Sequence, residues 1–322
     1  MEFVRRHRSS FMCFVVLPYV ILIYSFIFGP DRRYPVYLRK PADTGRVLII
    51  YVWADTDVQS LGNLKFLIRY GVHAAQNADY YFILQKFNNT PLDRNRLPRL
   101  PVNAHYIEHD NECFDFGTFG WFLGNKFIKT SLYKYFIFMN ASIRGPFLVA
   151  YFDHESMWWY NIYTKLLTDE VKLAGSTINC EHKPHVQSYL LVTDQIGLAI
   201  LTDKKTGVFN CKKDYSDAVF SGEIGASQSI LHANYQIASL QTKYQGVDFR
   251  KKENWQCNHQ ISPIFVDRSV DSISHDPFEL VFVKYKGQPA NFDTDLERRA
   301  MIYEKWAAEQ PAKKPKPHST VV

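Results

Sequence analysis

Four short apolar runs constrain this chain more than any other feature. They are Val47–Trp53 (VLIIYVW), YYFILQ from Tyr80, AHYIEHDN from Ala104, and Tyr135–Met139 (YFIFM). Runs this short, rich in β-branched and aromatic residues and bounded by turn residues, read as strands. The stretches Leu61–Ala75 and Phe116–Thr130 that separate them read as helices. Strands alternating with helices at this spacing predict a mostly parallel α/β sheet of the doubly wound kind, flanked by helices. Such sheets collect ligands outside the carboxyl ends of their strands. The fourth run ends in Asn140-Ala141-Ser142, with Arg144 and the chain-breaking Gly145-Pro146 just beyond.

The second half is less regular. VKLAGSTIN from Val171, HVQSYLLVTD from His185 and ELVFVKY from Glu279 read as strands. Asp194–Thr202, Gly222–Ala233 and Phe292–Ala308 read as helices. With 322 residues and 46% hydrophobic content the chain can bury a substantial core. The 16% aromatic content suits both a core and the stacking of flat or ring-shaped ligands. A net charge of +6, spread along the chain without a long basic block before the C-terminus, argues against nucleic-acid binding.

Phe11–Phe28 carries no charge, follows Arg5, Arg6 and Arg8, and has the length of a bilayer-spanning helix. No small-residue cleavage site follows it, so an uncleaved signal anchor is expected. The predicted organisation is a cytoplasmic tail (1–10), a transmembrane anchor (11–29), a stem (30–46), a lumenal domain (47–308) and a disordered tail (309–322). Cys113, Cys180, Cys211 and Cys257 form an even set outside the span, without the close spacing of zinc ligands. At least one disulfide among them is expected, Cys180 to Cys211 being preferred because a short loop closes at lower entropic cost. Asn88 and Asn140 head acceptor sequons; the second, at a strand end, is expected to stay unmodified.

HDNECFDFGTFGWFL, FIFMNASIRGPF, AGSTINCEHKPHVQSYLLVTDQIGLAIL and SGEIGASQSILHANYQIASL, closed by HDPFELVFVKYKG, occur in that order. Together they resemble the rhamnan-synthesis-protein-F type of glycosyltransferase, whose members share a strand ending in Asn/Asp-x-Ser-x-x-Gly-Pro and a later His-x-Gln-Ser-Tyr element. The resemblance covers roughly residues 47 to 290. It implies a nucleotide-sugar-dependent transferase of hexosyl type on a GT-A-like, Rossmann-type domain, anchored by a single span in the Golgi or endoplasmic reticulum membrane. Its partners would be a nucleotide-sugar donor and a glycan or glycoprotein acceptor.

A GT-A-like strand beneath the diphosphate commonly ends in Asp-x-Asp, where this chain has Asn140 and Ser142. Neutral oxygens are weak ligands for Mn2+ or Mg2+, so dependence on either cation stays open. Arg144, His275 and Lys284 are the fixed cations expected to stabilise a leaving diphosphate instead. Asp55 and Asp57, after the first strand, would contact base or ribose, or cap the next helix. For the base that takes the acceptor proton, Glu223 is the first candidate, in a glycine-flanked turn opening a helix, and Asp115 the second. His185 and Gln187 have the polarity to hold sugar hydroxyls. A competing reading keeps the fold but not the chemistry: a degenerate lumenal domain that binds glycans or scaffolds other proteins.

Overall fold

The computed structural model describes residues 45–87, 93–125, 128–263, 276–286 and 294–309. The predicted tail, span and most of the stem, the Asn88 sequon and His275 lie outside these residues. Among the described residues no helix is long and apolar enough to cross a membrane.

The strands, in chain order, are β1 (Val47–Trp53), β2 (Ala78–Lys86), β3 (Ala104–Asp110), β4 (Tyr135–Asn140), β5 (Ile143–Arg144), β6 (Val171–Gly175), β7 (Ile178–Asn179), β8 (His185–Val186), β9 (Leu190–Asp194), β10 (Gln236–Ser239) and β11 (Val283–Lys284). Seven of them form the central sheet in the order β10-β6-β9-β4-β1-β2-β3. β9 alone runs against its neighbours, pairing Val192 with Ile137 of β4 and with Ala174 of β6. All other pairings in that sheet are parallel. The mixed α/β class and mostly parallel sheet read from the sequence are therefore present.

Central position explains the all-apolar first run: every residue of β1 is buried, since both faces of the sheet are covered. Leu48, Ile50 and Val52 face one layer with Phe119, Phe122, Phe136, Phe138 and Ile230. A second cluster joins Phe66, Phe147, Leu280, Val283, Tyr285 and Tyr303. Burial of each such ring is worth about 1.5–3 kcal/mol against exposure.

Six helices matter here: α1 (Ser60–Gly71), α2 (Phe114–Gly124), α3 (Trp159–Thr164), α4 (Gln195–Thr202), α5 (Gly225–His232) and α6 (Thr294–Glu309). α1 stops short of the predicted Ala75. The Gly71 carbonyl accepts Gln76 Nε2, Tyr80 Oη and Trp159 Nε1, at 2.9, 3.1 and 2.9 Å, and the chain turns extended at Val72. α2 likewise ends before Thr130, at Gly124-Asn125, where Asn125 Nδ2 folds back onto the Trp121 carbonyl at 3.1 Å.

Three predicted strands are corrected. VKLAGSTIN splits at Ser176-Thr177 into β6, in the main sheet, and β7, outside it. HVQSYLLVTD is broken by a turn, because the Gln187 carboxamide and the Tyr189 hydroxyl both bond the Thr177 hydroxyl, at 2.6 and 2.7 Å. The break leaves β8 paired with β7 and lets β9 reverse into the main sheet. ELVFVKY is mostly not strand: Asp276 caps a short helix, Pro277–Leu280, by accepting the Phe278 amide at 2.8 Å. Only Val283–Lys284 extend, antiparallel to β5 and outside the main sheet. β10 was not expected; QIAS is too short and too polar to read as a strand.

Two disulfides form among the four cysteines, where at least one was expected, and neither is the preferred pair. Cys113 joins Cys211 and Cys180 joins Cys257, so the near-sequence preference for Cys180–Cys211 fails. Proximity in the fold, not loop length, selects the pairs.

Candidate functional site

The helix expected from Gly222 begins earlier, as a widened π-helical turn, Ala218–Ile224, running straight into α5. π-turns of this kind recur at functional sites. Glu223 therefore sits inside a continuous helical segment and not at its N-terminus, which removes a simple capping role. Its Oε1 lies 3.2 Å from His185 Nε2, and its Oε2 accepts the Ser188 hydroxyl. His185 Nδ1 is in turn 2.7 Å from the Lys183 carbonyl. Burial pushes the Glu223 carboxyl up, but hydrogen bonds and charge from His185, the Ser188 hydroxyl and the Lys284 ammonium outweigh it. The group is held below the ordinary carboxylate range and is ionised at neutral pH.

These side chains open onto a cleft of about 370 Å³ whose walls include His182, His185, Ser188, Tyr215, Phe220, Glu223 and Lys284. Next to it, β4 delivers Asn140. Its Nδ2 donates to Asp115 Oδ2 at 2.9 Å, and its Oδ1 accepts the Ser142 amide at 3.0 Å. Asp115 stands in the first turn of α2. Burial raises its pKa, opposed by the Asn140 hydrogen bond and by Lys284 and Lys286, with Glu223 pushing the same way as burial. Lys284 completes the group: burial lowers its pKa while Glu223, Asp115 and Asp57 raise it. These acids and this lysine thus feel one another's charge at the end of the sheet. The Asn140 amide is committed to Asp115.

Of the other expected residues, Gln187 lines the same cleft, Asp55 and Asp57 brace the entry to α1, which is one of their two expected roles, and Arg144 lies elsewhere. Asp57 Oδ1 accepts the Gln59 amide at 2.7 Å, closing the turn into α1, and Asp55 pairs with Arg96 and Ser60 at 3.2 Å each. Gln187 is 2% exposed and holds Thr177. Arg144 lies outside the cleft wall: it is buried, its Nε donates to Asn63 Oδ1 at 3.0 Å, and its guanidinium lies 4.0 Å from the Tyr285 ring centroid. Among the described residues no cluster of three His, Cys, Asp or Glu side chains could hold a metal ion. An amide and a hydroxyl at the end of β4 do not fit a divalent cation, and no chemistry below is routed through one.

Sequence reading missed Ser188, Tyr51 and Asn63. Asn63 Nδ2 donates to the carbonyls of Ala141 and Tyr285, at 2.8 and 2.9 Å, clamping the loop after β4 to the strand bearing Lys284. A usable signal was there: an asparagine on the apolar face of a helix is a poor helix former and needs a reason. Tyr51 is 1% exposed, and its hydroxyl finds no hydrogen-bond partner among the described residues. Burial drives its pKa up, while Arg144, Asp115 and Asp57 all act on it.

No protein-family model and no curated protein matches the sequence, so the resemblance to the rhamnan-synthesis-protein-F type stands on its motifs alone. Solved structures show loose likenesses. One is the mannosyltransferase PcManGT of Pyrobaculum calidifontis, in complex with GDP-Man and Mn2+: 10% identity, TM-score 0.40, covering 69% of this chain and 61% of that one. Another is the glycosyltransferase GlyE of Streptococcus pneumoniae, at 12% identity and TM-score 0.38, covering 84% and 66%. A third is the galactosyltransferase LgtC with donor and acceptor sugar analogs, at 11% identity and TM-score 0.37, covering 84% and 98%. The chain thus spans less than two thirds of the first two. At these TM-scores the functional reading rests on the site itself.

Proposed function

We propose that the protein is a nucleotide-sugar-dependent glycosyltransferase with a GT-A-like core. In this reading it transfers a hexose or deoxyhexose to a glycan or glycoprotein acceptor in the secretory pathway, anchored by residues 11–29 in the Golgi or endoplasmic reticulum membrane. One observation carries it. Glu223, Asp115 and Lys284 come from three separate elements and meet electrostatically beside the end of β4. A scaffold has no use for gathering such half-buried charges beside one cleft, because even partial desolvation costs stability.

The chemistry then follows from the groups present. The acceptor hydroxyl gives its proton to Glu223, ionised and fixed by His185 and Ser188. Its oxygen bonds the anomeric carbon of the donor sugar. The bond from that carbon to the diphosphate breaks, and its electron pair leaves with the nucleoside diphosphate, near the Lys284 ammonium. Asp115 and Asn140, bonded to each other, suit the hydroxyls of the donor sugar or ribose. The test is a panel of nucleotide sugars assayed for binding and slow hydrolysis by the protein, with and without Mn2+. Failure of every donor to bind sinks the proposal.

The second reading, a degenerate glycan-binding domain, is favoured by Asn140, whose amide occupies the place of a carboxylate. Glycan binding without any nucleotide-sugar binding would establish it.

A further inference from the structure

The cleft beside Glu223 does not stop at its own wall. A second hollow of about 590 Å³ adjoins it, lined among others by Asn210, Lys212, Asp214 and Ser221. Ser216 and Phe220 line both hollows. Phe220 therefore forms a ridge between them, on the same π-turn that carries Glu223. It is 53% exposed, Tyr215 beside the cleft is 75% exposed, and the His182 ring lies against Phe220 at 5.2 Å between centroids. His182 is itself held at φ 66°, a left-handed conformation that a histidine adopts at some cost.

Tyr215 and Phe220 stay exposed side by side along one cleft, although burial of either ring would be favourable. Around the rings the walls are polar. Lys212 is 4% exposed and donates to the Gly207 carbonyl and the Ser221 hydroxyl, at 2.6 and 2.9 Å, while Ser221 also bonds Asp217. Exposed aromatics within a polar rim mark binding surfaces. A ligand that matches them carries an apolar ring face and a hydroxyl edge at once, which is the chemistry of a pyranose. Two hollows joined over one ring fit more than a single sugar unit.

We propose that Phe220, Tyr215 and His182 form a stacking platform for the acceptor, a glycan of at least two sugar units that crosses Phe220 from the Glu223 cleft into the Lys212 hollow. The Glu223 end of this path rests on the transferase reading; the platform itself does not.

The experiment uses full-length protein on an array of mono- to hexasaccharides, followed by calorimetric titration of a retained series of increasing length. Affinity is expected to rise about tenfold from mono- to disaccharide, as one ring contact worth about 1.4 kcal/mol would give. Phe220→Ala and Tyr215→Ala should erase that rise, and Phe220→Trp should keep it. Melting curves establish that each variant is folded; if Phe220→Ala is not, Tyr215→Ala and Phe220→Trp decide. Retention of no glycan, equal binding of mono- and disaccharide, or unchanged binding by Phe220→Ala overturns the platform. Nucleotide-sugar hydrolysis, measured alongside, separates the two ideas. Hydrolysis without a length effect sinks the platform alone, and a length effect without nucleotide-sugar binding sinks the transferase alone.

Discussion

Glu223 Oε1 lies 3.2 Å from His185 Nε2, across a gap of nearly forty residues in sequence, with the histidine 4% and the glutamate 22% exposed at the side chain. The histidine's other nitrogen is occupied by the Lys183 carbonyl. This fixes the carboxylate in one rotamer facing the cleft, because a buried ring held at both ends cannot swing away. A carboxylate so placed does not have to be oriented at the moment of reaction.

Glu223→Gln keeps the shape and removes the charge and the proton acceptor. If Glu223 is the base, transfer falls by about a hundred-fold or more, while donor affinity, measured by calorimetry, stays within a few-fold. Product anomeric configuration, read by NMR, should be inverted relative to the donor. Full activity in Glu223→Gln transfers the role of base to Asp115.

Asp115 predicts an opposite trade. Its folded pKa is raised by burial, so its ionised form costs stability above that value, and the cost is relieved as pH falls through it. Asp115→Asn keeps an acceptor for Asn140 Nδ2 and removes the charge. It should raise Tm at pH 7, by about 2 °C or more, and the gain should shrink toward pH 4, while activity falls. Glu223 has the other sign: its depressed pKa contributes stability that is present above the unfolded carboxylate value and lost as pH falls through the folded one. A Tm for Asp115→Asn at or below wild type at pH 7 contradicts the assignment.

Arg144 is expected to matter for folding first. It packs between the Phe66 and Tyr285 rings, 5.9 and 4.0 Å away, and satisfies Asn63. Its approach to Glu304, at 3.8 Å and with that side chain 41% exposed, adds little. Arg144→Met should cost about 2–3 kcal/mol, mainly from the orphaned Asn63 carbonyl. Urea denaturation measures it; a loss under about 0.5 kcal/mol would show that the packing is incidental.

The sheet was legible where burial dictates composition. Val47–Trp53 and Tyr135–Met139 are central, so both faces demand apolar residues and the runs stand out. Gln236–Ser239, at the edge, is largely buried too, but two of its buried residues are polar and satisfied by hydrogen bonds from Gln236 to Val247 and Asp248 and from Ser239 to Gln241, so its composition carried no strand signal. ELVFVKY misled because its apolar residues fill the second core cluster from a helical turn and a two-residue strand, which leaves the same composition as a strand would. In the site, Glu223, His185, Asp115 and Lys284 were legible as polar residues beside turns. Ser188, Asn63 and the partner of each cysteine were not, since they depend on approaches over long sequence distances that local pattern does not encode.

Both disulfides frame the cleft. Cys113 lies two residues before Asp115, and Cys180 two residues before His182. Replacing Cys113 and Cys211 together by serine should cost about 2–5 kcal/mol, and donor-sugar affinity should fall with it as the first turn of α2 loosens. Non-reducing peptide mapping should find Cys113–Cys211 and Cys180–Cys257 linked. Four free thiols in the secreted or membrane-bound protein would remove both bridges and the support they give to a lumenal domain.

Asn140→Asp tests why β4 ends in an amide. The wild-type Nδ2 donates to Asp115 Oδ2 at 2.9 Å; the variant sets two carboxylates face to face, and like charges that close cannot both ionise without a cation between them. In EDTA at pH 7 the variant should therefore melt below wild type, by about 4 °C or more. Mn2+ should restore it, because paired carboxylates supply the charged oxygens that the amide and the Ser142 hydroxyl do not. Wild-type Tm should be indifferent to the same Mn2+. Scanning fluorimetry across a Mn2+ titration reads both curves. A rise in wild type as large as in the variant would mean that the native site already binds the cation, and that Asn140 is no substitute for one.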